Sequence, residues 1–236
     1  MLSLLFGQGQ RPDDTALDTL AGCASGFPHF TISHRPDPEE GWVELLASGL
    51  TFDCRGLAPA APQPAPPAGT LLGLAAVPSL AEAITLAPGQ HLAEGGGLLP
   101  VVRVLAGLGA ALCALPGLEA VVWHPARSWM KPDYYCRIVE SWLGGGAFPA
   151  LGLTALESEG AGGMTSLGLA LFTGQELRLE GMERIAPNEQ ARIAMRLLHE
   201  LVSDGPLDGP RDYLGPAGEI FHAVPDGRFV RVTLEG

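Results

Sequence analysis

The chain has 236 residues, 47% of them apolar and 17% charged, so it is long enough to bury one sizeable core or two small ones, and disorder of the whole is excluded. Its 26 acidic and 14 basic residues give a net charge of −12. Because a surface of that sign repels phosphate backbones, we expect no nucleic acid partner.

The first part of the chain, residues 1–57, is predicted to be an N-terminal α+β portion. Its opening apolar run is too short for a signal peptide, and LSLLF is predicted to be a strand. A helix is expected after Pro12, where apolar residues recur at helical spacing. HFTISHR alternates apolar and polar residues, and Ser48-Gly49 separates two apolar runs. These patterns predict a strand and then a hairpin.

Residues 58–69, with the sequence APAAPQPAPPAG, contain five prolines. Proline has no backbone donor for a sheet, so this segment is predicted to be an extended connector that crosses the surface. It is the only compositional break in the chain. Residues 70–236 are therefore predicted to be the main α+β domain, which either stands apart from residues 1–57 or forms one compact unit with them.

The main domain begins with LLGLAAV and EAITLAP, both predicted to be strands. The apolar segment from Gly97 to Leu115 approaches membrane-spanning length, but Pro100 and Arg103 interrupt it. It is therefore predicted to be a buried helix, and no membrane partner is expected. LEAVVWHP is predicted to be a central strand. A helix with one apolar face is expected to begin near Pro132.

The last third of the chain is predicted to contain two hairpins and a helix. ALGLTAL and LGLALFT are expected to be strands on either side of the glycine-rich turn ESEGAGGMTS, with QELRLEG extending the sheet. The helix, from about Pro187 to Ser203, places Arg192, Arg196 and His199 on a solvated face. EIFHAV and FVRVTL form the final hairpin. The predicted class is thus α+β, with largely antiparallel sheets and about four helices packed on them.

Five segments between about Leu71 and Pro206 carry a family likeness: EAITLAPGQHL, LLPVVRVLAGLGAAL, AVVWHPARSWM, PALGLTAL and GLALFTGQELRLE. In order they suggest an apolar helix, a strand ending in an aromatic and a short polar turn, and a hairpin closing on LFT. This order resembles an uncharacterised bacterial family, domain of unknown function 4261. The resemblance implies a fold and transfers no functional residues.

The chain contains none of the common catalytic or nucleotide-binding motifs. It has no P-loop, no GxGxxG after a strand, no HExxH and no GxSxG. Its four cysteines, Cys23, Cys54, Cys113 and Cys136, lie far apart without a CxxC pair. We therefore predict no catalytic residue, no cofactor and no metal site. The cysteines are interpreted as buried thiols, which favours a cytoplasmic location.

One cluster could still bind a ligand. His124, Arg127, Ser128 and the only lysine, Lys131, fall within eight residues at a strand-to-helix turn. The loop and the helix N-terminus present unpaired donors there, so these side chains could hold a carboxylate or phosphate. The alternative is that the neighbouring tryptophans pack in the core, His124 bonds to a backbone carbonyl and Arg127 pairs with an acid.

Two functions of different classes follow. The first is a non-enzymatic cytoplasmic binding or protein-interaction module, favoured because no nucleophile–base pair is evident. Its partner would be another protein or a small anionic ligand. The second is a small hydrolase or transferase with His124 as general base and Arg127 as anion clamp. This second hypothesis requires a further acid or nucleophile from elsewhere in the chain.

Overall fold

The computed structural model describes residues 1–23, 28–79, 81–160, 162–215 and 218–234. Within these residues the chain forms an eight-stranded sheet, a six-stranded sheet and six α-helices, four of which have seven or more residues. All strand pairings are antiparallel except two. The predicted α+β class, with largely antiparallel sheets and about four helices, is confirmed.

The first compact unit, Met1–Gly146, is built on the eight-stranded sheet. The strand order is β2-β3-β4-β6-β1-β7-β8-β5. The strands are β1 (Leu2–Phe6), β2 (Phe30–His34), β3 (Trp42–Ala47), β4 (Leu50–Arg55), β5 (Thr70–Leu72), β6 (Glu82–Pro88), β7 (Leu118–Trp123) and β8 (Ser128–Met130). The helices are α1 (Asp14–Cys23), α2 (Leu99–Leu112) and α3 (Pro132–Leu143).

Strand β7 lies inside this sheet, between β1 and β8, as its unbroken apolar run predicts. Its last four residues are buried. On one face, Leu5, Val122 and Trp129 belong to a single buried cluster. Toward α2, a Cβ added at Gly109 would lie 2.8 Å from both Leu2 Cδ2 and Tyr135 Oη, so glycine is needed where α2 approaches β1 and α3.

Residues 58–69 carry no helix or strand, apart from an isolated bridge between Gln63 and Ala83, and most of them are exposed. The predicted irregular surface segment is confirmed. It does not divide the chain into units, because strands before and after it alternate in one sheet. The structure instead divides the chain between Gly146 and Ala147. Residues 1–57 thus share a unit with the first half of the segment predicted as the main domain, 70–236.

The second unit, Ala147–Gly236, is built on the six-stranded sheet, in the order β12-β13-β14-β11-β10-β9. Its strands are β9 (Ala155–Gly160), β10 (Gly163–Leu167), β11 (Glu176–Glu180), β12 (Arg211–Leu214), β13 (Ile220–Asp226) and β14 (Phe229–Leu234). Its helices are α4 (Ala150–Leu153), α5 (Ala170–Thr173) and α6 (Pro187–Asp204). One face of α6 is buried, including Ile193, Ala194, Leu197 and Leu198.

The predicted strands ALGLTAL and LGLALFT are wrong in their placement. The hairpin strands β9 and β10 lie largely within the segment expected to be a turn, of which Ala161 falls outside the described residues. The carboxylate of Glu176 accepts hydrogen bonds from the backbone N–H groups of Gly168 (2.8 Å), Leu169 (3.1 Å) and Ala170 (3.2 Å). Those N–H groups begin α5, so a side chain outside the segment turns it into a helix.

LLGLAAV forms a strand only as far as Leu72, because Gly73 takes a φ of 74° and leaves the extended conformation. None of the helices in the described parts of the chain is long and apolar enough to cross a membrane.

Candidate functional site

The predicted anion site lies on the turn between β7 and α3. His124–Ala126 form one 3₁₀ turn, and Arg127 closes it with a left-handed φ of 49° while its N–H donates to His124 O at 3.1 Å. A Cβ at Gly69 would clash with the carbonyl of Arg127, so the end of the proline-rich segment packs directly against this turn. The turn is therefore fixed by its own hydrogen bond and by its contact with Gly69.

His124 is half-buried and its side chain points at strand β1. Its Nε2 lies 2.7 Å from the hydroxyl oxygen of Ser3, a residue that is 0% exposed. Burial, and then the charge of the amino terminus, lower the pKa of His124 below its ordinary value. The imidazole is consequently neutral at pH 7 and brings no positive charge to the turn.

The remaining predicted residues face different ways. Ser128 is buried, and its hydroxyl donates to Ala126 O at 3.5 Å within the same turn. Arg127 and Lys131 are exposed. Lys131 Nζ lies 3.4 Å from Asp133 Oδ2, in the first turn of α3. An anion at this helix N-terminus would therefore meet one carboxylate already there.

The structure thus brings His124, Arg127, Ser128 and Lys131 to one turn, but His124 and Ser128 make hydrogen bonds inside the protein. Arg127 and Lys131 are the two exposed members of the set, and His124 is half-buried. Binding of an anion by this set stays a prediction, and the turn is not the strongest candidate for a site.

The contact between Ser3 and His124 supplies a hydroxyl–imidazole pair that no sequence pattern indicated, since the two residues are 121 positions apart. Nucleophilic catalysis needs such a pair. However, Ser3 lies in a central strand and is 0% exposed, so a substrate has no path to its hydroxyl in this conformation. The geometry therefore gives the hydrolase alternative no support, and the pair acts as a buried polar contact.

A second candidate lies in the unit Ala147–Gly236, between helix α6 and strand β12. This α6–β12 groove has a cavity volume of about 50 Å³, enough for one small apolar group. It is lined by Glu189, Arg192, Ile193, Arg196, Leu197, Tyr213, Leu214 and Phe221. The floor is apolar, because Ile193, Leu197 and Phe221 are each less than 10% exposed.

Two arginines from successive turns of α6 stand on the rim of the groove. Arg192 pairs with Glu189 at 3.1 Å, and Arg196 pairs with Glu200 at 3.0 Å. All four side chains are at least 35% exposed, so these ion pairs contribute little to stability. The arginines can therefore turn to an incoming carboxylate at small cost.

The opposite wall of the groove is the edge of the sheet. β12 pairs with β13 and is the terminal strand in the order of the six-stranded sheet. Gly215 N–H donates to Glu219 O at 2.7 Å, one residue beyond the strand. The alternation of an antiparallel ladder then turns the N–H and C=O groups of Tyr213 toward β13 and those of Asp212 and Leu214 toward the outer edge. Leu214 is 64% exposed.

Sequence reasoning assigned Arg192 and Arg196 to a solvated helix face, and the structure places both on the surface. The sequence did not indicate that β12, about fifteen residues further along the chain, lies beside these two arginines. β12 was not predicted as a strand, because RDYL is short and follows a proline- and glycine-rich loop. Nothing in the local sequence could have indicated the groove.

A comparison of the chain with family models, with curated proteins and with solved structures finds no match in any of the three. The likeness to domain of unknown function 4261 stays a prediction. Among the described residues, no group of three or more His, Cys, Asp and Glu side chains could hold a metal ion.

Proposed function

We propose that this protein is a cytoplasmic, non-enzymatic protein-interaction module that binds an extended acidic segment of a partner protein in the α6–β12 groove. The observation that carries the proposal is an exposed edge strand lying beside an apolar groove with two arginines on its rim. A peptide that adds to a sheet edge gains main-chain hydrogen bonds, and adjacent pockets select its side chains.

The edge strand supplies the main-chain part of this recognition. The outward N–H and C=O groups of Asp212 and Leu214 match the hydrogen-bonding pattern of one added strand. Alternate residues of that strand would face the side of the sheet that carries Tyr213 and Phe221. One apolar side chain of the partner would then enter the groove above Ile193 and Leu197.

The arginines supply the preference for acidic partners. Arg192 and Arg196 are one helical turn apart along the same rim. Carboxylates of the added strand would replace Glu189 and Glu200 as their partners. Each exchange contributes at most about 1 kcal/mol to binding, since it replaces an existing ion pair and the contacts stay partly exposed. The cytoplasmic assignment is supported by the four free cysteines of the described residues.

The test uses a short labelled peptide in which valine alternates with glutamate, titrated into the full chain and followed by fluorescence anisotropy. We expect saturable binding that weakens when lysine replaces glutamate in the peptide. Arg192→Ala and Arg196→Ala should each raise Kd by up to about fivefold. Arg55→Ala is the matched control, because Arg55 is also exposed and pairs with an acid, Asp53, at 2.7 Å in the other unit.

A pair of substitutions at one position separates strand addition from simple charge attraction. Leu214→Pro removes an outward N–H and should abolish binding, whereas Leu214→Thr keeps that N–H and should bind within about twofold of wild type. The proposal fails if the acidic peptide does not bind at about 1 mM, or if Leu214→Pro binds as well as Leu214→Thr.

A further inference from the structure

Two cysteines lie together where α2 ends against α3. The Cys113 thiol donates to Gly109 O at 3.2 Å, and the Cys136 thiol donates to Ala110 O at 3.6 Å. Gly109 and Ala110 are consecutive, so both sulfurs lie against the same turn of α2. The two thiols are close enough for each to shift the pKa of the other.

The packing of the two helices holds this pair in place. Tyr135, the residue before Cys136, is buried and donates its hydroxyl to Ala106 O at 3.0 Å. Gly109 leaves room for the Tyr135 ring, since a Cβ there would lie 2.8 Å from its hydroxyl oxygen. α3 is thereby fixed at a close distance from α2.

We propose that Cys113 and Cys136 form an oxidation site, at which exchange with a low-molecular-weight disulfide such as oxidised glutathione joins α2 to α3 covalently. Both residues are partly exposed, so a small disulfide can reach them. Cys54 offers a contrast, because it is buried and burial raises its pKa to about 12. A thiol in that state does not attack disulfides.

The two thiols have different roles in the exchange. The nearby Cys113 thiol lowers the pKa of Cys136, against the opposing effects of burial and of the charges of Glu140 and Asp133. The nearby Cys136 thiol, together with burial, raises the pKa of Cys113. Cys136 is therefore the thiolate that attacks, and Cys113 is the thiol that resolves the product.

The reaction balances in two steps. The Cys136 thiolate attacks one sulfur of the glutathione disulfide, so that a mixed disulfide forms and one glutathione thiolate leaves. Cys113 then attacks the Cys136 sulfur of the mixed disulfide. Its proton passes to the second glutathione thiolate as that group leaves. In total the two cysteines lose two hydrogens, and one glutathione disulfide is reduced to two thiols.

The test treats the full chain with oxidised glutathione, blocks the remaining thiols by alkylation and maps tryptic peptides by mass spectrometry. Trypsin should release residues 104–127, with Cys113, and residues 128–137, with Cys136, because it does not cleave Lys131 before Pro132. We expect these two peptides to be joined by a disulfide, with the exposed Cys23 modified more slowly. The joined product should be lost on addition of dithiothreitol.

Single variants identify the order of the steps. Cys113→Ser should accumulate the glutathione adduct on Cys136, about tenfold above wild type, because nothing resolves it. Cys136→Ser should leave Cys113 unmodified. Cys23→Ser is the matched control and should form the crosslink as wild type does. The proposal is overturned if wild type forms a stable adduct on Cys136 without the crosslink, or if Cys23 reacts faster than Cys136. Both outcomes are read on wild-type protein, so they do not depend on whether a variant folds.

Discussion

At the scale of single residues, the contact between His124 and Ser3 makes the stability of the first unit depend on pH. Burial lowers the pKa of His124 below 6.5, its value in an unfolded chain. The unfolded state therefore takes up a proton more readily than the folded state, and stability falls as pH falls through 6.5. Above pH 6.5 the full contribution is present. His124→Gln should reduce the fall in Tm between pH 7 and pH 5.5 by a few degrees.

One further group of the first unit and one group of the second unit define the controls. Burial also lowers the pKa of His199 and of the amino terminus. A residual slope from the amino terminus should remain in the first unit of His124→Gln. His199→Gln should leave that unit's slope unchanged, because His199 lies in the second unit. Thermal scans by circular dichroism at each pH measure this. An unchanged slope in His124→Gln would show that the imidazole is equally basic in both states.

At the scale of secondary-structure elements, Gly109 controls how closely α2 approaches its neighbours. A Cβ there would lie 2.8 Å from Leu2 Cδ2 and from Tyr135 Oη, so Gly109→Ala should destabilise the first unit by about 1 to 3 kcal/mol. Urea unfolding measures this. Gly22→Ala in α1 is the matched control, because nothing lies within 4 Å of its added Cβ.

In the control, alanine should raise stability by up to about 1 kcal/mol, since it favours the helix and meets no clash. The opposite signs of the two glycine-to-alanine changes are the critical result. Equal effects at Gly109 and Gly22 would mean that α2 can move away from β1 and α3 without cost.

At the scale of the whole molecule, the division after Gly146 predicts two units that fold independently. Each unit has its own sheet and its own buried residues, which include strand β7 in Met1–Gly146 and one face of helix α6 in Ala147–Gly236. We expect residues 1–146 and residues 147–236, expressed separately, each to unfold cooperatively on heating. Circular dichroism and amide exchange provide the measurement.

A division at the proline-rich segment predicts a different result. A fragment of residues 70–236 lacks β1, which lies between β6 and β7 in the sheet, and should therefore be unfolded over residues 70–146. If that fragment proved more stable than residues 147–236 alone, the compositional break would mark the true boundary.

Much of the fold could be predicted from local sequence. Pro132 and the apolar face that follows it predicted α3, and Pro187 and the periodic residues after it predicted α6, because capping and periodicity are local properties. The segment 167–173 could not be predicted, because Glu176 decides its conformation through hydrogen bonds to Gly168, Leu169 and Ala170. A segment with a strong β pattern can form a helix when a side chain from outside the segment accepts hydrogen bonds from the first N–H groups of that helix.

By itself, the sequence determined the α+β class, the interior position of β7 and the irregular course of residues 58–69, since these follow from apolar periodicity and from proline's missing donor. Only the tertiary structure decided which side chains meet. It placed Ser3 against His124, Cys113 and Cys136 against one turn of α2, and the arginines of α6 beside β12. These pairs are distant in sequence, and such contacts are set by the packing of whole elements, which no local pattern encodes.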